Sequence, residues 1–266
     1  MTAKGGDRRP MVAPQGTGEQ LPVGITEDHL CGGRVVLRQP ADGFRAAIDP
    51  VLLAASCPAN SGESVLELGA GTGAATLCLA QRVAGVRVMG LERQRDLVRL
   101  ASENATLNRV ADRVSFIIGD ILAPPPRLSP GGFDHVIANP PFLEAGTASR
   151  SPMAGRATAA IEGDADLAAW VRLALAMVHA RGTVTVIHRA DRLEAVLTEF
   201  AGRAGEIVIF PLWAGVGKPA RRVLVRARKA TRTPTRLDWG LVLHEADGSY
   251  TPEAEAVLRH GAALVL

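Results

Sequence analysis

The chain has 266 residues, 47% of them apolar, enough to bury one large core or a core with a small appendage. Charged residues make up 21%, which excludes an intrinsically disordered chain, and no apolar stretch is long enough to span a membrane. The net charge is only +3 and nearly all the basic residues are arginine, a bias that genomic base composition produces, so only local clusters count as evidence for a polyanionic partner.

Residues 1–24 are Gly, Pro and polar residues with no apolar signal core, so a disordered tail and a cytoplasmic protein are expected. The three cysteines, Cys31, Cys57 and Cys78, are odd in number, lack CxxC spacing and have no histidine cluster beside them. They read as reduced packing residues, and neither a disulfide framework nor a metal site is expected.

Residues 25–60 form a leader, with a short strand over Arg34–Gln39, turn residues Asp42 and Gly43, and a helix over Asp49–Cys57. From residue 61 onward a regular alternation begins. Strands are predicted at Ser64–Gly69, Val86–Glu92, Arg113–Asp120 and Phe133–Phe142, and helices at Ala74–Val83 and Arg95–Asn108. Leu167–His179 follows as a helix, Thr183–His188 as a strand and Leu193–Phe200 as a helix. Glu206–Phe210 and Arg221–Arg228 are two successive strands joined by a Gly- and Pro-rich loop, which predicts an antiparallel hairpin. An edge element over Leu241–Tyr250 and a helix from Pro252 close the chain. The pattern predicts an α/β fold: a Rossmann-like, seven-stranded, mostly parallel sheet with helices on both faces, one antiparallel hairpin strand and a small N-terminal leader.

The first of the alternating strands runs into ELGAGTGAA. Gly69, Gly71 and Gly73 let the backbone turn sharply and approach a ligand closely at a strand's carboxyl end. Gly69, Gly71 and Ala74 also satisfy a dinucleotide fingerprint, and Glu92 stands where an acid holds ribose hydroxyls, so the turn specifies an adenosine-type cofactor without choosing between nicotinamide and S-adenosylmethionine. A carboxylate at Glu67 suits a cationic methionine end better than a pyrophosphate, and Asp120 can accept from an adenine amino group.

Asn139-Pro140-Pro141-Phe142 decides between them. Two prolines stiffen the corner and remove two N–H donors, leaving the Asn139 side-chain oxygen and the Pro140 carbonyl as acceptors, with Phe142 as a stacking face. An exocyclic amine donates its lone pair into its ring and attacks poorly; two acceptors on its hydrogens help it pyramidalise and aim at a methyl sulfonium.

On these residues the sequence resembles the Rossmann-like amino-methylating methyltransferases marked by [D/N]PP[Y/F/W]. Within them it is most similar to the bacterial tRNA(Val) adenine-N6 methyltransferase family, from about Thr26 to the C-terminus. The resemblance rests on GFRAAIDPVLLAA, VLELGAGTG, NPPF and PARRVLVRARK. It implies S-adenosylmethionine as cofactor and a tRNA adenine beside the anticodon as target. It also implies that the leader packs over the cofactor and lends it Asp49, that Glu67, Gly69, Gly71, Gly73, Glu92 and Asp120 hold the cofactor, and that Asn139 to Phe142 are catalytic. Phe142 stands where that family carries Tyr, and NPPF also marks guanine-N2 enzymes acting on ribosomal RNA. Guanine N2 and a protein glutamine amide therefore stay open as targets, and a nicotinamide oxidoreductase or a non-catalytic RNA-binding relative as other classes.

Between Lys218 and Arg236 lie eight basic residues, Arg221 and Arg222 among them, and no acid. They read either as phosphate contacts for RNA or as the charges that protect an edge strand. Residues 144–158 carry Arg150 and Arg156 in a small-residue stretch, which reads either as a mobile substrate loop or as simple disorder. His179 and His188 read as structural.

Overall fold

The computed structural model describes residues 24–42, 45–141 and 165–266. The expected tail apart from Gly24, the Gly43 turn position, and Phe142, Arg150 and Arg156 lie outside the described residues.

The leader opens with a strand that the sequence reading missed. β1 (Ile25–Leu30) and β2 (Val35–Pro40) form an antiparallel hairpin apart from the main sheet. β1 is polar on both faces and shows no buried residue, so no hydrophobic alternation announces it. Cross-strand charge pairing holds it instead: Glu27 lies opposite Arg38, whose Nε sits 3.2 Å from its carboxylate. α1 (Ile48–Ser56) follows, with Pro50 through Ser56 all buried.

β3 (Ser64–Leu68), α2 (Ala74–Arg82), β4 (Arg87–Glu92), α3 (Arg95–Leu107) and β5 (Val114–Ile118) make two parallel crossovers. β6 (Phe133–Ala138) pairs parallel with β3 on its other side. α4 (Leu167–Met177), capped by the Asp166 side chain on the Ala169 N–H, leads to β7 (Val178–Arg189). That strand starts at Val178, inside the predicted helix. Its register against β6 slips between Phe133 and His135, where a bulge takes up residues 179–182.

After α5 (Leu193–Phe200), β8 (Ala204–Trp213) and β9 (Ala220–Lys229) form the expected hairpin, with β9 antiparallel to both β7 and β8. β9 is therefore an interior strand, which removes the edge-protection reading of its arginines. Two short strands, β10 (Arg236–Leu237) and β11 (Leu241–Val242), extend the seven long ones along the open side of β8, and α6 (Pro252–Leu258) closes the chain.

Alternate residues of the central strands feed two cores. Val65, Ile137, Ile187 and Leu224 join a cluster with α1, α2, α6 and the leader; Leu66, Val136, Val186 and Val225 join one with α4 and α5. The leader is fixed to this body through its backbone. Asn104 and Asn108, one helical turn apart on α3, act as peptide mimics on β2: Asn108 accepts from the Val36 N–H and donates to its carbonyl, and Asn104 does the same for Arg38. Asn104, wholly buried, also donates to Thr72 O at 3.0 Å and so joins leader, helix and glycine turn. Asn104→Ala leaves three backbone groups without their side-chain partner, and a loss of about 2–4 kcal/mol in urea unfolding is expected.

Candidate active site

Leu68 and Ala138 are partners across β3 and β6, so Gly69 and Asn139 leave adjacent strand ends side by side. The glycine turn is fastened to β4: Gly69 N and Ala70 N both donate to Leu91 O, at 2.8 and 3.0 Å, and Gly71 N donates to Glu92 Oε2 at 3.0 Å. Gly69 turns with φ +68°, and a Cβ there would stand 2.4 Å from the Trp170 indole on α4. At Gly71, φ is +55° and a Cβ would meet nothing within 4 Å. The backbone of the turn thus faces open space at Gly71 alone, where a ligand can lie against it.

Glu92 ends β4 and is mostly buried; besides Gly71 it accepts from Gln94 N at 2.8 Å, and each carboxylate oxygen keeps acceptor capacity. Asp120 follows β5, caps Leu122 N through Oδ1, and has Oδ2 3.9 Å from Arg93, the neighbour of Glu92. Glu67 is 4% exposed, and its Oε2 accepts from both Thr76 N (2.8 Å) and Thr76 Oγ1 (2.5 Å). It thereby holds the first turn of α2 behind the glycines. Burial, with a smaller contribution from the Glu92 charge, pushes its carboxyl up to about 8, so it is largely neutral at pH 7.

Asn139 supplies the most telling polar atom. Its Oδ1 is buried and has no hydrogen-bond partner among the described residues, while Pro140 is buried behind it. An acceptor left in that state costs about 1–3 kcal/mol and is satisfied by a donor that enters the site. The corner also rests on His188, which the sequence reads as structural without placing it beside Asn139. Continuing the β6–β7 register beyond Ala138 and Val186 places Pro140 opposite His188. His188 is fully buried, with its ring beside the Pro141 main chain. Burial, then the charge of Arg192, pushes the imidazole down to about 4, so it supports the corner as a neutral ring. Only the strand register brings it there; its neighbours in sequence carry no signal. His179 lies at the opposite end of β7, bonded to Asp134.

Asp49, in the first turn of α1, accepts from Arg222 Nε at 2.9 Å, a pair 173 residues apart. The basic segment separates on inspection: Arg226 bonds Leu266 O, Arg228 pairs with Glu206, Lys229 caps Val178 O and Arg236 pairs with Asp238. Lys218, Arg221 and Arg232 stay exposed, without an ion pair among the described residues. Arg221 and Arg222 begin β9, separated from β6 by β7, so the structure does not gather them with Asn139.

A methyltransferase-domain family model matches residues 59–198, from the end of the leader through α5. A tRNA1(Val) (adenine(37)-N6)-methyltransferase of Aeromonas hydrophila is 30% identical over 78% of this chain and 86% of its own length. The chain belongs to this methyltransferase family. A second relative of the same name, from Porphyromonas gingivalis, is 29% identical over 83% of this chain and 89% of its own. Among solved structures, a predicted O-methyltransferase from Agrobacterium tumefaciens superposes with a TM-score of 0.69 at 24% identity, covering 82% of this chain and 99% of that one. That likeness is one of fold. The methyltransferase is S-adenosylmethionine-dependent, and the Gly71 opening, the two strand-end acids and the unpartnered Asn139 oxygen fit that cofactor and an amine beside it. Among the described residues no group of His, Cys, Asp and Glu is arranged to hold a metal ion, and no helix is long and apolar enough to cross a membrane.

The proton on Glu67 gives a test with a definite sign. Between pH 4.5 and about 8 the native methyltransferase keeps a proton that the unfolded chain releases, so this group lowers stability as pH rises through that window. Glu67→Gln removes the dependence. Its thermal midpoint, measured without cofactor, is expected to gain on the wild type steadily from pH 5 to pH 8.5.

Proposed function

We propose that the methyltransferase transfers a methyl group from S-adenosylmethionine to N6 of an adenine in tRNA, in the cytoplasm. The observation that carries this reading is the buried Oδ1 of Asn139, without a partner among the described residues and set on a proline-stiffened corner beside the glycine turn. The names of the relatives support the choice of adenine in tRNA.

In this reading Asn139 Oδ1 and the Pro140 carbonyl accept the two N–H bonds of the amine. The carboxamide is too weak a base to keep the proton that the amine gives up, so its part is to orient and polarise, and the proton passes to water once the C–S bond has broken and the C–N bond has formed. The cofactor, when bound, supplies an electrophilic methyl on a positively charged sulfur. Glu92 holds the ribose hydroxyls, Asp120 the adenine amino group, and Gly69 to Gly73 pass beneath. Asp49 and Glu67 border the methionine end, and Phe142 stacks on the target base. Arg150, Arg156, Arg221 and Arg222 are proposed to contact RNA phosphates, which would give salt-dependent affinity.

Nucleoside mass spectrometry of unmodified tRNA incubated with the methyltransferase and S-adenosylmethionine tests the reading, with N6-methyladenosine as the expected product. N2-methylguanosine, or label only in protein, would overturn the choice of target. Asn139→Ala is expected to slow transfer about 10²–10³-fold. Affinity for S-adenosylhomocysteine, read by calorimetry, should stay essentially unaltered.

A further inference from the structure

Among the described residues the most exposed large apolar side chain is an indole, Trp239, at 92% relative exposure. A tryptophan left in water forgoes a large burial gain, about 25 cal/mol for each Å² of its apolar surface. Its backbone, by contrast, is tightly held. Asp238 N donates to Ile209 O, the Asp238 carboxylate caps Trp239 N, and Trp213 Nε1 donates to Trp239 O, each at 2.8 Å. Gly240 then turns with φ +82°, so close to β8 that a Cβ would lie 2.0 Å from Pro211 O. β10 and β11 pair with β8 on either side of this kink. The chain leaves the sheet edge for three residues, and the excursion projects one aromatic ring into solvent.

Cations share the rim with Trp239. Lys218 in the β8–β9 turn and Arg221 at the start of β9 are exposed. Arg236, exposed on β10, lies three residues lower, opposite Val208, and pairs with the largely buried Asp238. β6, β7, β9, β8 and β10 are successive neighbours in the sheet, so the four intervals between Asn139 and Trp239 span about 19 Å. Lys218 and Arg221 lie on that path, at the same rim as the catalytic corner.

We infer that Trp239 is a base-stacking platform for the RNA substrate, contacting a nucleotide about 19 Å from the methylated one, with Lys218 and Arg221 neutralising the phosphates between them. The inference rests on RNA being the substrate. An indole fixed in advance stacks on any base with little ordering cost, and cations beside it favour a polyanion. A second copy of the chain fits less well, because the same cations would face one another across a two-fold contact.

Steady-state methylation of unmodified tRNA by the full-length wild type, Trp239→Ala and Trp239→Phe tests this, together with equilibrium RNA binding, S-adenosylhomocysteine calorimetry and light scattering. Trp239→Ala is expected to raise the KM and the Kd for tRNA about tenfold. Its kcat and S-adenosylhomocysteine affinity should match the wild type, and Trp239→Phe should recover most of the loss. The tryptophan emission quenched by RNA in the wild type should be absent in Trp239→Phe. If the wild type methylates tRNA and Trp239→Ala keeps its KM and Kd, the platform is wrong and the substrate reading stands. If Trp239→Ala changes only the oligomeric state, the surface belongs to a protein contact. A wild type that neither binds nor methylates RNA fails at the substrate reading itself, and the platform falls with it.

Discussion

After β3 the polypeptide passes between two aromatic rings, and the site is built around that passage. The Trp170 indole closes against Gly69, and the Phe116 ring against Gly73 and Gly90. Side chains at any of these positions would meet ring carbons at less than 3 Å. Only Gly71, at the crest, faces open space. The squeeze therefore does two things: it fixes the turn's path and directs its one accessible stretch of main chain toward the rim. Because the rings come from α4 and β5, the turn is correctly formed only when helix and strand on both sides of the sheet are packed.

The same rim receives its chemistry from strand ends that share a direction. β3, β4, β5 and β6 are parallel neighbours, so the glycines, Glu92, Asp120 and Asn139 arrive together although the outermost of them are 70 residues apart in the chain. Fastenings from outside the sheet complete the arrangement. Asn104 ties the leader hairpin to Thr72 in the turn, and the Asp49–Arg222 pair ties α1 to β9. His188 braces the proline corner from β7. Cys31 and Cys78, unrelated by spacing, bring their sulfurs to 3.6 Å between the leader and α2, a contact that folding alone creates.

The alternating core was legible because its signals are local. A near-continuous apolar run such as Ser64–Leu68 belongs to a strand covered on both faces, and glycines after it mark a turn. The pairing of β8 and β9 followed from two strands with no helix between. Features that depend on partners distant in sequence were not legible. β1 is held by charges rather than by a buried face, so its sequence shows no period. The eight basic residues from Lys218 to Arg236 look alike as letters, yet Arg222, Arg226, Arg228, Lys229 and Arg236 each bond a carbonyl or carboxylate of the fold. Glu67 reads as an anion, and only its burial against Thr76 shows that it holds its proton. His188 looks like any strand histidine until register sets it under Pro141.

The catalytic reading requires that one carboxamide oxygen, buried without a partner among the described residues, receive the substrate amine while the cofactor lies along the glycine turn. A crystal structure with S-adenosylhomocysteine and an adenosine-containing oligonucleotide measures this directly. The account predicts an adenine N6 within hydrogen-bonding distance of Asn139 Oδ1, with the thioether sulfur on the opposite side of that nitrogen. A target base bound elsewhere, or Oδ1 turned onto a protein donor in the complex, would contradict it.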